Sequence, residues 1–169
     1  MRILGIDPGL GATGYGLIEA TQGDARLIEA GVIRARAKES LPRRLAVIAR
    51  ALQSILSEHR PDLMVVEDLY SHYERPKTAV LMGHVRGVIL SQAALNRTQV
   101  VSYLPTRIKK SVVGNGHAPK PQLARMVQMR LGLSGEEISP DVSDALAVAL
   151  CYLDTYKPSH DLPSARHAD

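Results

Sequence analysis

Residues 63–67 read LMVVE, four apolar side chains in a row and then an acid. A strand with one face in water alternates apolar and polar residues, whereas a continuous apolar run belongs to a strand covered on both faces. The chain before this run, SLPRRLAVIARALQSILSEHRP, places Leu41, Leu45, Ile48, Leu52, Ile55 and Leu56 at helical spacing. Ser40 is its expected N-cap, and Pro61 follows its end. A helix feeding a doubly covered strand is the unit of a layered α/β sheet, and the remaining elements must fit around it.

Three strands are expected ahead of that unit, over 2–7, 12–19 and 26–36, with turn residues in DPGLG and TQGD between them. They form an antiparallel meander. After it come a helix over 77–95, a fifth strand in QVVSYL, short helices over 106–113 and 121–131 around the loop GNGHAPK, and a last helix from Ser139 to about Tyr156. The fourth and fifth strands are most simply parallel to the first, joined by helical crossovers. The expected fold is therefore α/β, a mixed five-stranded sheet flanked by helices, in the order of the ribonuclease H-like architecture. No repeat or linker divides it, so residues 1–156 are read as one domain and 157–169 as a flexible C-terminal tail. Gly83 and Gly87, four apart, suit close helix packing, either within the chain or between two copies.

Composition narrows the function. One cysteine, Cys151, excludes an internal disulfide and suits a reducing, cytoplasmic setting. The first apolar run stops at Asp7, too soon for a signal peptide, and no apolar stretch is expected to approach the roughly 20 residues of a membrane span. The net charge is only +4, but from Arg75 to Gly135 there are 61 residues without one Asp or Glu and with ten Lys or Arg. The other 108 residues sum to −6. This asymmetry points to a polyanion on one side of the protein.

The acids fall at telling places. Asp7 ends the first strand and Glu67 the fourth, so parallel neighbours would deliver both carboxylates to one sheet edge, where open α/β sheets bind ligands. In PDVSDALAVAL, Asp141 and Asp144 share a helical face near the N-terminus, with Val142, Ala145, Leu146 and Ala149 free to bury the other side. Singly, each has an ordinary explanation as a turn former, an ion-pair partner or a complement to the helix dipole. Jointly, four carboxylates in one cleft repel, and a divalent cation removes the difficulty. Oxygen-only ligation suits Mg²⁺ or Mn²⁺. Two ions about 4 Å apart would clamp the attacking and leaving oxygens of a phosphodiester hydrolysis. Gly9, Gly11, Gly14 and Gly16 are then expected to clear side chains from the path of a phosphate backbone.

GIDPGLGATGYG, VVEDLY, VRGV, VVGNGHAPK and DVSDALAVA, in this order over residues 2 to about 153, resemble the bacterial RuvC family of Holliday junction resolvases. The resemblance implies a homodimeric, metal-dependent endonuclease of recombination and repair, which nicks a four-way DNA junction symmetrically and leaves 5′-phosphates. It implies the quartet Asp7, Glu67, Asp141 and Asp144 as catalytic metal ligands. Lys109 and Lys120 fall at family lysines that serve the cleaved backbone, and Tyr70 at an aromatic that stacks near the junction centre. The segment from Tyr70 to Gly83 is one residue longer than the family pattern, and its Tyr73 is expected to share or replace that role. Arg75, Lys77 and Lys110 join Lys109 and Lys120 as candidate DNA contacts within the acid-free stretch. Association with the RuvAB branch-migration machinery is implied as well. Asp68 is left out of the quartet because strand alternation points it away from Glu67.

Three other readings compete: a related nuclease acting on structured RNA, a kinase or ATPase of the actin and sugar-kinase type, and a module that grips junctions without cutting. The second needs two related halves and a longer chain, and the third is disfavoured by an intact quartet.

Overall fold

Strand β1 (Arg2–Asp7) is the middle of a five-stranded sheet ordered β3-β2-β1-β4-β5. The computed structural model describes residues 1–21, 24–68 and 76–156. β2 (Ala12–Thr21) and β3 (Asp24–Arg34) complete the antiparallel meander, and β4 (Leu63–Glu67) and β5 (Gln99–Tyr103) run parallel to β1. This is the sheet expected from sequence. The meander strands differ at their ends: β2 extends to Thr21, and β3 begins at Asp24 because the ladder continues to a Thr21–Asp24 pair. The expected tail, 157–169, lies outside the described residues.

Both faces of the sheet are covered, as LMVVE requires. On one face, Leu4, Ile6, Leu17, Met64 and Val66 pack against α1 (Leu41–His59) and α2 (Pro76–Leu95). On the other, Ile3, Ile18, Leu63 and Val65 meet α3 (Pro105–Val113), α4 (Lys120–Arg130) and α5 (Pro140–Thr155). Odd positions of β1 and β4 thus face α5 and even positions face α1 and α2, the two-residue period of a strand. Ser40 occupies the N-cap of α1, but its hydroxyl makes no capping bond; at α5 the Ser139 hydroxyl does accept from Val142 N, at 3.3 Å.

α5 is the central helix. Ala145 through Cys151 are all fully buried, and each large apolar side chain so placed is worth about 1.5–3 kcal/mol. Burial also pushes the Cys151 thiol up from its ordinary range, which leaves it an inert core residue.

The purpose assigned to the glycines needs correction. A Cβ on Gly5 would stand 2.8 Å from Ala149 N, and one on Gly14 would strike the carbonyl oxygen of Asp141. One on Gly16 would run into the side chain of Leu146. These residues admit α5 to the sheet rather than DNA to the site. Gly9 is required by its own hairpin, where a Cβ would meet Ala12 O, and of these glycines Gly11 alone would take a Cβ without crowding, at ordinary contact distance from Arg44.

The membrane expectation is corrected in part. α2 is 20 residues long and apolar enough, by length and composition, to cross a bilayer. Lys77, His84 and Arg86 interrupt its apolar residues, yet its average hydropathy stays high enough over that length. In the fold α2 lies on the sheet through Val85, Ile89 and Ala93.

Candidate active site

Asp7 and Glu67 are the last residues of adjacent parallel strands, and both are odd-numbered, so both side chains emerge on the α5 face at one edge. The glycines of β1 and β2 let the first turn of α5 approach that edge, which brings Asp141 and Asp144 beside Asp7. A cleft of about 250 Å³ results, lined by Asp7, Glu67, Lys109, Lys120, Asp144 and the apolar Pro105, Ile108 and Leu123.

The electrostatics register the convergence. Burial, then the charges of Glu67 and Asp144, and to a lesser degree that of Asp141, push the Asp7 carboxyl up to about 7, with Lys120 opposing. Burial and Asp144 push Glu67 up to about 7 as well, against Lys120 and Lys109. The Lys120 ammonium donates to Asp144 Oδ2 at 2.6 Å and is held above its usual range chiefly by that bond. Three of the four expected acids line the cleft. Asp141 does not, and acts on Asp7 from its rim. Among the described residues no three His, Cys, Asp or Glu side chains are gathered into a ready metal-holding group. The donor chemistry nevertheless fits a divalent ion. The donors are all carboxylate oxygens, two of them resist ionising beside one another, and one already carries the positive head of Lys120 in an ion's stead.

The remaining candidates divide. Lys109 and Lys120 belong to the cleft. Lys110 is exposed one residue further along α3, and Lys77 is exposed in the first turn of α2, neither of them in the cleft lining. Tyr70, Tyr73 and Arg75 lie outside the described residues. Asp68 turns away from Glu67 as strand alternation requires and pairs with Arg86 at 3.2 Å.

Two supporting residues escaped the sequence reading. Arg86 of α2, half-buried behind the sheet, donates to the carbonyl oxygen of Glu67 at 3.0 Å and to the Ser102 hydroxyl at 2.7 Å. It thereby fixes the end of β4 from the face opposite the cleft. Thr13, fully buried, donates its hydroxyl to Gly9 O at 2.7 Å and closes the hairpin that follows Asp7. An arginine inside an apolar helix was the available signal for the first. Nothing local marks the second, since its partner is backbone.

A ribonuclease H-like sheet with carboxylates at the ends of β1 and β4 and on α5, flanked by lysines, defines the class: a phosphodiester-cleaving nuclease. Comparison with known proteins agrees. The family model for crossover junction endodeoxyribonuclease RuvC matches residues 3–152. A crossover junction endodeoxyribonuclease RuvC of Rhodopirellula baltica is 49% identical over 149 residues, covering 88% of this chain and 84% of that protein. One of Syntrophomonas wolfei is 42% identical over 165 residues, covering 98% and 95%. The structure of Thermus thermophilus RuvC in complex with a Holliday junction substrate superimposes with a TM-score of 0.84 at 31% identity, covering 90% of this chain and 92% of that one. The chain belongs to the RuvC family of crossover junction endodeoxyribonucleases.

Proposed function

We propose that this enzyme resolves four-way DNA junctions in recombination and repair by paired symmetric nicks that leave 5′-phosphates. Divalent ions, Mg²⁺ or Mn²⁺ and two per site, would be held by Asp7, Glu67, Asp141 and Asp144. The observation that carries the reading is the cleft itself. Acids from three separate segments are gathered where burial, and then their mutual repulsion, push Asp7 and Glu67 up to about 7, with two lysines beside them. When bound, such ions supply an activated water and charge stabilisation at the departing 3′-oxygen. The chain's own residues do the rest. Lys120 orients Asp144 through its 2.6 Å bond. Lys109, in the cleft wall, offers its ammonium to a phosphate whose negative charge grows in the transition state. Pro105, Ile108 and Leu123 exclude bulk water from one side and sharpen both effects.

A junction presents two equivalent strands and one cleft cuts one strand, so a two-fold pair of chains fits the substrate. α2 is the surface for it. Val80, Leu90 and Leu95 are 61%, 37% and 72% exposed, and among the described residues nothing outside the helix's own backbone stands within 4 Å of where a Cβ on Gly83 or Gly87 would be. We read this apolar, small-residue face as the contact with a second copy. Service beside RuvAB in a reducing bacterial cytoplasm completes the proposal and rests on the family alone.

The test is incubation with a mobile four-way junction, and separately with folded RNA, in Mg²⁺ or Mn²⁺, mapping nicks on every strand. Paired nicks at symmetric positions, abolished by Asp7→Asn while junction binding persists, are expected. Efficient RNA cleavage with an untouched junction would overturn the reading.

A further inference from the structure

The 108 residues outside the acid-free stretch average to a negative charge, and that average conceals a second basic cluster. Residues 34–50 contain Arg34, Arg36, Lys38, Arg43, Arg44 and Arg50 against one acid, Glu39. In the fold they come together where β3 ends and α1 begins. Arg34, Arg36, Glu39, Arg43, Val47 and Arg50 line a depression of about 460 Å³, more roomy than the catalytic cleft. Arg43, Val47 and Arg50 stack along one face of α1, as i, i+4, i+7 positions must. Glu39 is taken by Arg43 at 3.2 Å. Among the described residues Arg34, Arg36 and Arg50 have no carboxylate partner, and Arg34, Arg36, Lys38 and Arg50 are exposed. The Nε of Arg44 is buried with no hydrogen-bond partner among the described residues, and its guanidinium end lies 3.8 Å from where a Cβ on Gly11 would stand, beside the hairpin that follows Asp7.

Like charges are not gathered at such density for stability, because they repel. Their place relative to the cleft suggests their use. β1 and β3 are both antiparallel to β2, so they end at the same sheet edge. Val32 stands level with Asp7, each paired with Gly14, and Arg34 lies two residues further out. Two strand spacings across and two residues along put Arg34 about 12 Å from Asp7. One phosphate occurs every 3.4 Å along each strand of a duplex, so 12 Å is about three to four base pairs.

We propose that the Arg34, Arg36, Arg43 and Arg50 cluster is a second phosphate-binding site, which grips the duplex arm three or more base pairs from the scissile phosphate. It rests on the reading of this protein as a junction nuclease and adds a site to it. Lys109 and Lys120 flank the acids on the α5 face, and the arginine cluster lies past the end of β3 along the same sheet edge, with Arg43 and Arg50 on the α1 face. Duplex DNA crossing the sheet edge meets basic side chains on both flanks while its cleaved strand rests on the acids. Guanidinium forks suit phosphate oxygens, and the planar Arg side chains need no base contact to hold an arm.

The experiment compares wild-type protein with the triple variant R36Q/R43Q/R50Q, measuring equilibrium binding to a junction with 25-base-pair arms over a salt series in EDTA. Removing three phosphate contacts is expected to make the log K against log salt slope shallower by about 2.7 and to weaken binding roughly tenfold or more. The R36K/R43K/R50K variant should keep most of the slope, and single-turnover cleavage at saturating protein should be unchanged in both. Methylphosphonates at the third to sixth phosphates from the cut should weaken wild-type binding and leave the glutamine variant indifferent. An unchanged slope, or equal sensitivity of variant and wild type to those neutral linkages, would overturn the site. Failure of the underlying reading looks different: wild-type protein would then show no preference for the junction over linear duplex, whatever the variant does.

Discussion

Replacing Asp7 by Asn should stabilise the metal-free protein, and the gain should depend on pH in a defined way. The folded carboxyl titrates near 7, raised from an ordinary 3.8 by burial and by Glu67 and Asp144. A carboxyl whose folded value lies above its unfolded one favours the folded state only while it stays protonated. As pH rises from about 4 to about 7 the unfolded chain ionises first, and stability falls; above 7 both forms are ionised and the loss is constant. The difference between 3.8 and about 7 caps the loss at about 4 kcal/mol. Sharing of the repulsion with Glu67, which is raised to about 7 in its turn, brings the expectation to about 1–3 kcal/mol. In a domain of this size that is a rise in midpoint of about 3–10 °C. The assay is thermal unfolding in EDTA at a series of pH values from 4.5 to 8. The variant's advantage should grow up to pH 7 and then level off. Millimolar Mg²⁺ at pH 8 should raise the wild-type midpoint more than that of the variant, because the ion relieves the repulsion that the substitution has already removed. An advantage of equal size at pH 4.5 and pH 8 would refute the reasoning, since a packing change has no such profile.

Four further outcomes are expected. Gly14→Ala places a methyl against Asp141 O; it should cost about 1–3 kcal/mol in urea unfolding and on the order of 10² in cleavage rate, as α5 carries its acids away from Asp7. Arg86→Met removes the donor to Glu67 O and should lower single-turnover cleavage more than junction affinity, whereas Arg86→Lys should recover part of the rate. Lys109→Ala should slow single-turnover cleavage by about 10² with little change in binding; a large affinity loss at normal rate would contradict its place in the cleft wall. Gly87→Arg on the open face of α2 should yield monomers in sedimentation velocity, and an unchanged sedimentation coefficient would move the dimer contact elsewhere.

Much of this protein could be read from local pattern. LMVVE demanded cover on both faces, and the sheet has it. Alternation along β4 sent Glu67 and Asp68 to opposite faces, and Asp68 meets Arg86 behind the sheet. Asp141 and Asp144 lie on one turn of α5, behind the Ser139 cap and Pro140. Each of these depends on a period of two or 3.6 residues, which a sequence carries in full.

What required the tertiary structure was every relation between distant segments. Gly14 and Gly16 of β2 looked like room for DNA, and proved to be room for α5, because a missing Cβ does not say which neighbour uses the space. Arg86 and Thr13 act on backbone oxygens, which have no identity in a sequence. The arginines of 34–50 vanished into a regional average and became a site only when the end of β3 met the start of α1. Periodicity fixes which way a side chain points from its own element, whereas what it points at is decided by packing between elements, which local pattern does not encode.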